Sequence, residues 1–341
     1  MKNANAVLSM LWKAGVAVKN WSYDYHLLDQ VEIPCRIISI GNLTVGGTGK
    51  TPVTEFLYRH LVERFPRIAI VSRNYKAMIR TVARVDLHHP NAALFFGDEP
   101  TWLAQRCPRA QVFVGPRKYE TAVYAYEQFR PDLILVDDGF QHRALRRNLD
   151  IVLWDATSES ETLLPGGRLR EDFSSLDRAD WIVLTKANWT SPERLNEWRA
   201  KFQGHRLVEM NFHLQVPLQV PPQVPQQMPP QTTLSPDRPL AAFAGLARPD
   251  LFRSQLEKSL GRSLDRFFPY PDHFDYPVTV LKELTEWLGK NPAGEIFTTE
   301  KDAVKLSNWT VENKRVHVVP LTLEGGQGTA EFLAELNHVV F

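Results

Sequence analysis

The stretch from Arg36 to Thr51, RIISIGNLTVGGTGKT, constrains the fold of this chain more than any other. An apolar run leads into closely spaced glycines, and Lys50 and Thr51 come directly before a helical pattern that begins at Pro52. Glycines let backbone N–H groups approach phosphate oxygens, and the positive end of a helix dipole favours an anion. A lysine in this position reaches the outer phosphates, and a threonine hydroxyl binds magnesium. The stretch therefore predicts a strand, a phosphate-binding loop and a helix N-terminus that together bind a nucleoside triphosphate with Mg²⁺.

The residues predicted to bind the phosphates are Thr44, Gly46, Gly47, Thr48, Gly49, Lys50 and Thr51. Thr44 departs from the GxxxxGK[ST] template, which has glycine at that position. Gly46 and Gly47 compensate in part. The alternative is a tight turn without a ligand, which the glycines followed by GKT at a strand-to-helix junction disfavour.

Charge and cysteine content limit the range of functions. The 341 residues include 40 basic and 39 acidic side chains, for a net charge of +1. A nucleic-acid-binding protein usually has a basic excess, so we expect no nucleic-acid partner. Cys35 and Cys107 lie in unrelated contexts, which indicates neither a disulfide nor a cysteine-based metal site and fits a reducing cytosolic setting. No obligate protein partner is predicted.

Residues 1–30 form a separate N-terminal region with an amphipathic pattern. No run of about 18 uncharged apolar residues is present, so no helix is expected to span a bilayer. Ser9, Lys13 and Asn20 fall on one side of a helical wheel, and the opposite side is apolar: Val7, Leu8, Leu11, Trp12, Gly15 and Val18. Tryptophan and lysine in such a helix favour a membrane interface. We expect either docking on a membrane surface or packing on the core of the protein itself.

Strands and helices alternate after the phosphate-binding loop. A helix from about Pro52 to Phe65 precedes the strand RIAIVS, and such a βαβ unit places a site at the C-terminal ends of parallel strands. Further strands are predicted at 111–114, 133–136, 151–154 and 181–184, with helices at 99–106, 118–129 and 192–202. This alternation predicts an α/β fold with a P-loop NTPase-like, mainly parallel, doubly wound sheet over residues 31–213.

Proline and glutamine dominate residues 214–239, which predicts an extended linker or surface insertion. Residues 240–341 then form a second, smaller α/β domain. Its predicted elements are helices at 249–260 and 277–288 and the strands EIFTT and RVHVV.

Asp137 and Asp138 follow the apolar run LILV and precede GFQH. Carboxylates at the end of a buried strand beside a phosphate-binding loop are typical of a Walker B site, which holds magnesium directly or through water. The pattern makes either aspartate a candidate metal ligand. The alternative is an aspartate that begins a turn.

Asp98, in the segment GDEP, is a candidate proton acceptor, since kinases use an aspartate to take the proton of the attacking hydroxyl. Its position before Glu99 and Pro100 also fits a helix N-cap, and the residues alone favour the N-cap over the proton acceptor. His273, in PYPDHFDY, has aromatic and acidic neighbours, and a lone histidine in such surroundings is more often structural.

Basic residues are frequent in the segments that follow the predicted strands, where arginine and lysine suit phosphate groups. They are Arg73, Lys76, Arg117, Lys118, Arg143, Arg168 and Arg170. Each of them singly is equally explained as ordinary solvated charge.

The segment Thr185 to Asn188 resembles the [NT]KxD element that selects guanine. Asn188 stands where an acidic side chain accepts two N–H groups, and an amide offers one acceptor oxygen, so guanine selectivity is disfavoured. A strand end with a turn is the better interpretation.

Eight segments together resemble the tetraacyldisaccharide 4'-kinases, the lipid A 4'-kinases of Gram-negative bacteria: GNLTVGGTGKTP, SRNYK, GDEP, VDDGFQHRAL, LLPGGRLRE, FAGLARP, PDHFDY and TTEKDAVKL. The DDGFQH and TTEKDAV elements are the most specific. The resemblance implies transfer of the ATP γ-phosphate to the 4'-hydroxyl of a tetraacylated glucosamine disaccharide 1-phosphate. It also implies peripheral attachment to the cytoplasmic face of the inner membrane.

The resemblance implies a role for each matching residue. Lys50 and Thr51 hold phosphate and magnesium, and Asp138 with its neighbour completes the metal site. Asp98 becomes the catalytic base, paired with His273 by domain closure. The residues implied to bind substrate are Glu99, Gln141, His142, Arg73, Arg117 and Arg170. One departure is Asn74, where the family's SRGY has glycine, although asparagine also tolerates a left-handed backbone.

Two other functions remain as alternatives. A P-loop GTPase or metallochaperone-like switch would hydrolyse GTP and ignore lipid. A membrane-associated adaptor with a structural nucleotide would show no turnover with any acceptor.

Overall fold

A computed structural model of the chain describes residues 2–159, 162–216, 238–306, 309 and 315–338. The described residues form two compact units. The larger extends to Phe212 and includes a return segment that begins at Leu323, and the smaller is His213–Thr322. Most of the predicted linker at 214–239 lies outside the described residues, so the predicted domain boundaries stay predictions.

The strands, in chain order, are β1 (Arg36–Asn42), β2 (Ile68–Arg73), β3 (Ala83–Arg84), β4 (Ala110–Gly115), β5 (Leu133–Asp137), β6 (Leu149–Asp155), β7 (Trp181–Thr185), β8 (Leu207–Leu214), β9 (Leu240–Gly245), β10 (Arg266–Tyr270), β11 (Glu295–Thr299), β12 (Val316–Val319) and β13 (Leu321–Gly325). The α-helices are α1 (Lys2–Asp24), α2 (Lys50–Leu61), α3 (Ala92–Phe96), α4 (Asp98–Arg106), α5 (Lys118–Phe129), α6 (Pro192–Lys201), α7 (Pro249–Leu260), α8 (Val278–Lys290), α9 (Glu300–Ala303) and α10 (Thr329–His338). Two short 3₁₀ helices lie at Phe173–Arg178 and Ala187–Trp189.

A nine-stranded sheet has the order β13-β8-β7-β6-β1-β5-β2-β4-β3. From β8 across to β4 all neighbouring strands pair in parallel, and β3 pairs with β4 in the antiparallel sense. The chain moves from β1 outward to β4, returns through β5, and then continues on the other side of β1. The order reverses at β1, so its C-terminal end is the switch point at which doubly wound sheets bind ligands.

Side chains alternate between the two faces of this sheet, and both faces are apolar. The registers place two clusters on one face: Val152 and Trp154 of β6 pack with Trp198 and Phe202, and Ile134 of β5 packs with residues from β2 and α5. The opposite face carries buried residues such as Ile38 and Leu135. Central parallel strands need apolar residues on both faces, which explains the uninterrupted runs such as LILV.

The smaller unit has a sheet of order β10-β9-β11-β12, in which all three pairs are parallel. It too has apolar residues on both faces, including Phe297 on one side and Phe243 on the other. The predicted α/β fold, with a doubly wound parallel sheet and a second smaller α/β unit, is confirmed.

Candidate active site

The phosphate-binding loop lies between β1 and α2, as predicted. Helix α2 begins at Lys50, two residues before the predicted start at Pro52, because proline is tolerated in a first turn whose N–H groups lack helical partners. Gly49 is the N-cap and has a left-handed backbone, with φ of 90°. The backbone N–H groups of the first turn therefore open toward the loop, which is the arrangement that binds phosphate.

Three neighbouring side chains hold the backbone of this loop. The Asn42 amide donates to the Thr48 hydroxyl at 2.8 Å, and the Thr185 hydroxyl donates to the Thr48 carbonyl at 2.8 Å. Lys186 donates to the Gly47 carbonyl at 2.9 Å and also pairs with Asp155 at 2.5 Å. These contacts fix the loop from the ends of β1 and β7. No role was predicted for Lys186 from the sequence.

Thr44, the residue that departs from the template, forms an antiparallel bridge with Leu169. The N–H of Val45 donates to the Arg168 carbonyl at 2.8 Å, and the Arg168 guanidinium returns a bond to the Val45 carbonyl at 2.8 Å. A residue in an extended bridge does not need the freedom of glycine, and a threonine suits it. The segment LLPGGRLRE therefore supports the loop directly.

Asp138 follows β5 and joins two cations of the site. Its carboxylate accepts from Arg170 at 2.9 and 3.1 Å and lies 3.5 Å from the Lys50 ammonium. Burial raises the pKa of Asp138, but the charges of Lys50, Lys118 and Arg170 outweigh it and hold that pKa far below its usual range. Its backbone is left-handed at φ of 55°, a conformation that aspartate tolerates better than most residues.

Asp137, the last residue of β5, has a different environment. Its Oδ2 accepts from the Ser72 hydroxyl at 3.1 Å, while its buried Oδ1 has no hydrogen-bond partner among the described residues. Burial, together with the charge of Glu99, raises the pKa of Asp137 to about 6. An unsatisfied buried carboxylate oxygen near a helix that begins with Lys50 and Thr51 fits a divalent cation.

Hard oxygen ligands of this kind suit Mg²⁺, which usually takes one or two carboxylates and completes its shell with water and substrate phosphates. In the described part of the chain, no group of three or more His, Cys, Asp or Glu side chains is arranged to hold a metal ion.

Lys118 is a buried residue of the site that the sequence indicated only as one of several basic loop residues. It is the first residue of α5, is 1% exposed, and donates through Nζ to the Asp137 carbonyl. Burial lowers its pKa against the opposing effect of Asp138 and Asp137. A lysine directly after a strand-ending glycine and arginine was the available signal, but its inward direction depends on tertiary packing.

Gln141 and His142 follow the aspartates, as the DDGFQH motif predicts. Gln141 donates to the Asn42 carbonyl at 2.9 Å and receives a longer bond from Arg170 at 3.4 Å. Burial and the charge of Lys118 lower the pKa of His142 to about 3, so its imidazole is neutral at ordinary pH. The structure thus places Gln141, His142 and Arg170 together beside Asp138.

Asp98 and Glu99 begin helix α4. The N-cap is Gly97, with φ of 103°, so the interpretation of Asp98 as the N-cap is wrong by one residue. Asp98 is buried, and its Oδ1 accepts from the Glu99 N–H at 2.9 Å. The preceding helix α3 is bonded through the Leu94 carbonyl to the segment that follows β2. Because Glu99 also raises the pKa of Asp137, this turn lies at the same edge of the sheet as the aspartates.

The two other predicted arginines differ in their surroundings. Arg73 ends β2, and its charge lowers the pKa of Lys118 and His142, which places it near the cluster. Arg117 is exposed and donates to Glu120 at 2.8 Å, within the first turn of α5. The described contacts of Arg117 are therefore at the surface, and its role toward substrate stays a prediction.

Two turns correspond to segments discussed in the sequence analysis, SRNYK and TKAN. The left-handed residue of the SRNYK turn is Lys76, with φ of 54°, whereas the Asn74 amide donates to the Ile79 carbonyl at 2.7 Å. Asn74 itself is not left-handed, so this turn does not require the conformational freedom of glycine at that position. The Asn188 amide bonds both the N–H and the carbonyl of Phe212 at 2.9 Å, so the TKAN segment is a strand end with a turn.

Within the smaller unit, His273 lies in the loop after β10 with a left-handed backbone at φ of 59°. The Lys301 ammonium lies 3.3 Å from its Nε2 and donates to Asp272 at 2.9 Å. His273 therefore has charged neighbours from α9 as well as from its own loop.

Helix α1 contacts the rest of the larger unit through polar groups. Asn20 donates to Glu171 at 3.1 Å, and Lys13 pairs with Asp172 at 2.7 Å. The apolar side is exposed: Val7, Leu8, Met10, Leu11, Trp12, Val18 and Trp21 are each between 44% and 73% accessible. The alternative in which this side packs on the protein's own core is wrong. No described helix is both long enough and apolar enough to cross a membrane.

Comparison with known proteins finds relatives that match almost the whole chain. Residues 2–340 match the tetraacyldisaccharide-1-P 4'-kinase family, LpxK. The tetraacyldisaccharide 4'-kinase of Bdellovibrio bacteriovorus is 38% identical over 301 residues, which cover 88% of either chain. That of Desulfotalea psychrophila is 34% identical over 314 residues, covering 89% of this chain and 88% of the relative. The crystal structure of Aquifex aeolicus LpxK in complex with ATP is similar with a TM-score of 0.76 and 28% identity, covering 100% of this chain and 99% of that one. The chain therefore belongs to the tetraacyldisaccharide 4'-kinase family.

Proposed function

We propose that this protein transfers the γ-phosphate of ATP to the 4'-hydroxyl of a tetraacyldisaccharide 1-phosphate, giving the 4'-phosphorylated lipid A precursor. The observation that carries the proposal is the cluster at the end of β1 and β5, in which Asp138 joins Lys50 and Arg170 beside the phosphate-binding loop. Membership of the family supplies the acceptor, and the resemblance to an ATP-bound LpxK supports ATP as the donor.

In this proposal, Lys50 and Arg170 stabilise negative charge on the phosphoryl group during transfer. Both cations are held by Asp138, so neither has to be reoriented when the nucleotide binds, which is the advantage of a preorganised site. The Arg170 guanidinium is held on its other side by Gln141. The neutral His142 then lines the acceptor side without adding a charge of its own.

Mg²⁺ would be held by the Thr51 hydroxyl and by Asp137, whose Oδ1 lacks a partner among the described residues. When bound, the ion neutralises phosphate charge and polarises the phosphoryl oxygens. Asp138 is the less suitable direct ligand, because its two oxygens already accept from Arg170.

Asp98 is proposed as the base that accepts the proton of the 4'-hydroxyl. The hydroxyl oxygen forms a bond to the γ-phosphorus while the bond from that phosphorus to the β,γ-bridging oxygen breaks, and ADP leaves. Asp98 is buried at the start of α4, where the helix dipole favours its charged form. His273 belongs to the smaller unit, and its approach to Asp98 by domain closure is part of the proposal.

The acceptor lipid is presented at a membrane surface, so we further propose that helix α1 attaches the protein peripherally to the cytoplasmic face of the inner membrane. The support is the exposed apolar side of α1, which includes Leu8, Leu11 and Trp21. Aromatic and apolar residues on one side of a helix with lysines beside them are typical of interfacial helices. Neither a nucleic acid nor an obligate protein partner is part of the proposal.

The test supplies labelled ATP, Mg²⁺ and tetraacyldisaccharide 1-phosphate in detergent micelles and follows label in a bisphosphorylated lipid. Asp98→Ala should lower the transfer rate by roughly 10²- to 10⁴-fold, the usual contribution of a general base, and leave ATP affinity nearly unchanged. Glu127→Ala, which removes an exposed carboxylate of α5, is the matched control and should keep full activity.

Two outcomes would contradict the proposal. Absence of label transfer by folded protein would refute the kinase activity. Equal loss of ATP binding and of transfer in Asp98→Ala would refute the assignment of the base. Hydrolysis of GTP without lipid would instead favour the switch, for which the TKAN segment provides no support because Asn188 is engaged by Phe212.

A further inference from the structure

The TTEKDAVK segment of the smaller unit forms a tightly capped turn of helix, α9, directly after β11. The Thr299 hydroxyl donates to the Asp302 carboxylate at 2.7 Å and accepts from the Asp302 N–H at 3.2 Å. Asp302 is fully buried and also accepts from the Gly245 N–H at 3.1 Å. The Thr299 hydroxyl thus caps α9 and is itself held by Asp302, and the two residues tie α9 to the ends of β11 and β9.

Two lysines of this segment extend from that fixed base to the loop that carries His273. Lys301 donates to Asp272 at 2.9 Å and lies 3.3 Å from Nε2 of His273. Lys305 donates to the carbonyl of Phe274 at 3.0 Å and is 9% exposed. Three consecutive residues of the loop are thus held by two cations whose own positions are set by α9.

The loop needs such support because its backbone is not in a preferred conformation. Both His273 and Tyr276 have left-handed backbones, with φ of 59° and 51°. Conformations of this kind persist in non-glycine residues where surrounding contacts impose them. Stacking of Tyr270 on Phe274, with ring centroids 4.6 Å apart, supplies one such contact, and the lysines supply the polar ones.

We propose that Lys301 is a positioning residue that fixes both the orientation and the tautomer of His273. An ammonium has donors and no acceptor, so its contact with Nε2 requires the lone pair there and places the ring hydrogen on Nδ1. Asp272 holds the ammonium in place, and Lys305 holds the backbone one residue beyond. The Nδ1–H edge is then the one able to donate to a carboxylate. The significance for catalysis rests on the proposed role of His273.

Imidazole nitrogen NMR tests this inference on the full-length protein without reference to activity. Two-bond ¹⁵N–¹H correlation spectra of ¹⁵N-histidine-labelled protein, recorded at roughly pH 8.5 to keep ordinary histidines neutral, distinguish the two tautomers. The signals of His273 are assigned as those that disappear in His273→Gln. We expect the Nδ1–H pattern in the wild type, its loss or averaging in Lys301→Met, and its return in Lys301→Arg. Lys282→Met, which removes an exposed lysine of α8, should leave it unchanged.

Kinetics on the same variants connects the tautomer to the reaction. Lys301→Met should lower kcat by about 10- to 100-fold, the usual effect of a displaced supporting residue, with KM for ATP within about twofold of the wild type. Unchanged His273 signals in Lys301→Met, or an Nε2–H pattern in the wild type, would overturn the inference. Full kcat in His273→Ala would overturn the proposed role of His273 instead, so the two failures are distinguishable.

Discussion

The phosphate-binding loop and helix α1 both attach to the segment around residues 168–172, but through different kinds of contact. The loop is attached mainly by backbone groups, since Val45 donates to the Arg168 carbonyl and Arg170 donates to the Leu43 carbonyl at 2.6 Å. Helix α1 is attached by side chains. Trp12 donates to the Arg170 carbonyl at 2.8 Å and Asn20 to Glu171 at 3.1 Å.

The difference shows what each region requires. A loop that must present N–H groups to phosphate has to satisfy its other polar groups inside the protein, and buried partners such as Lys186 do so. Helix α1 instead faces outward with its apolar side, and a contiguous exposed apolar surface marks an interaction site. The loop is therefore fixed from several directions, whereas α1 has one side attached to the protein and one apolar side that is exposed.

Removal of Lys186 is expected to have the largest effect in this comparison. Lys186→Met would leave Asp155 buried without its cation and the Gly47 carbonyl without its donor. Breaking a buried pair in this way costs about 3–5 kcal/mol. Urea denaturation at neutral pH should show this loss in the free energy of unfolding, and KM for ATP should rise because the loop loses an anchor.

The decrease in the free energy of unfolding caused by Lys186→Met should also depend on pH. Burial raises the pKa of Asp155, but Lys186 and Thr157 outweigh it, so the pKa lies below its ordinary value. Such a carboxylate contributes stability above its unfolded pKa of about 3.9, and that contribution is lost as the pH falls through the lower folded value. The difference between wild type and Lys186→Met should therefore shrink when the pH is lowered below about 3.9. Glu32→Gln, at an exposed pair with Arg146, is the control and should change stability little. A Lys186→Met protein as stable as the wild type would contradict the view that the loop is held by buried partners.

The second prediction compares two glycines of the loop itself. Gly49 has φ of 90°, and a Cβ built on it would lie 2.6 Å from Cζ of Phe212, whereas a Cβ on Gly47 meets nothing within 4 Å. Gly49→Ala should lower the free energy of unfolding by about 1–3 kcal/mol from backbone strain and should weaken ATP binding. Gly47→Ala is the matched control and should be nearly neutral for stability. Equal thermal midpoints for the two variants would show that the left-handed turn at Gly49 is not needed.

Much of this fold could be predicted from periodicity alone. Helices at 118–129 and 249–260 and the strand at 295–299 have the predicted bounds. Strand β10, RFFPY, escaped because it contains Pro269, and the structure places β10 at a sheet edge, where proline is tolerated. Strand β8 was missed although Val208, Met210 and Phe212 alternate with other residues in a period of two, which is a strand signal.

The residues of the candidate site also divide into those that a local motif identified and those that it did not. Its phosphate-binding and acidic residues have local motifs, so Lys50 and Asp138 could be named from the sequence. Lys118 was named only as one of several basic residues, and Lys186 was given no role, because a lysine that points into a buried site differs from a solvated one only in its tertiary neighbours. Arg117 shows the converse, since it was selected by its position after β4 and is paired at the surface with Glu120.

The smallest expected change in stability concerns α1, and it tests the other half of the comparison. Leu8→Ser with Leu11→Ser should leave the thermal midpoint unchanged, because these side chains are 50% and 64% exposed. Co-sedimentation with vesicles of phosphatidylethanolamine and phosphatidylglycerol should instead fall by about tenfold or more, since even partial burial of each leucine contributes roughly 1 kcal/mol. Asn20→Ala should show the reverse pattern. It removes the bond to Glu171 at a cost of about 0.5–1.5 kcal/mol of stability and leaves the apolar side intact. If the leucine variant lost stability and kept its vesicle binding, the apolar side would be part of the protein's own packing, and the distinction between an attached side and an available side of α1 would fail.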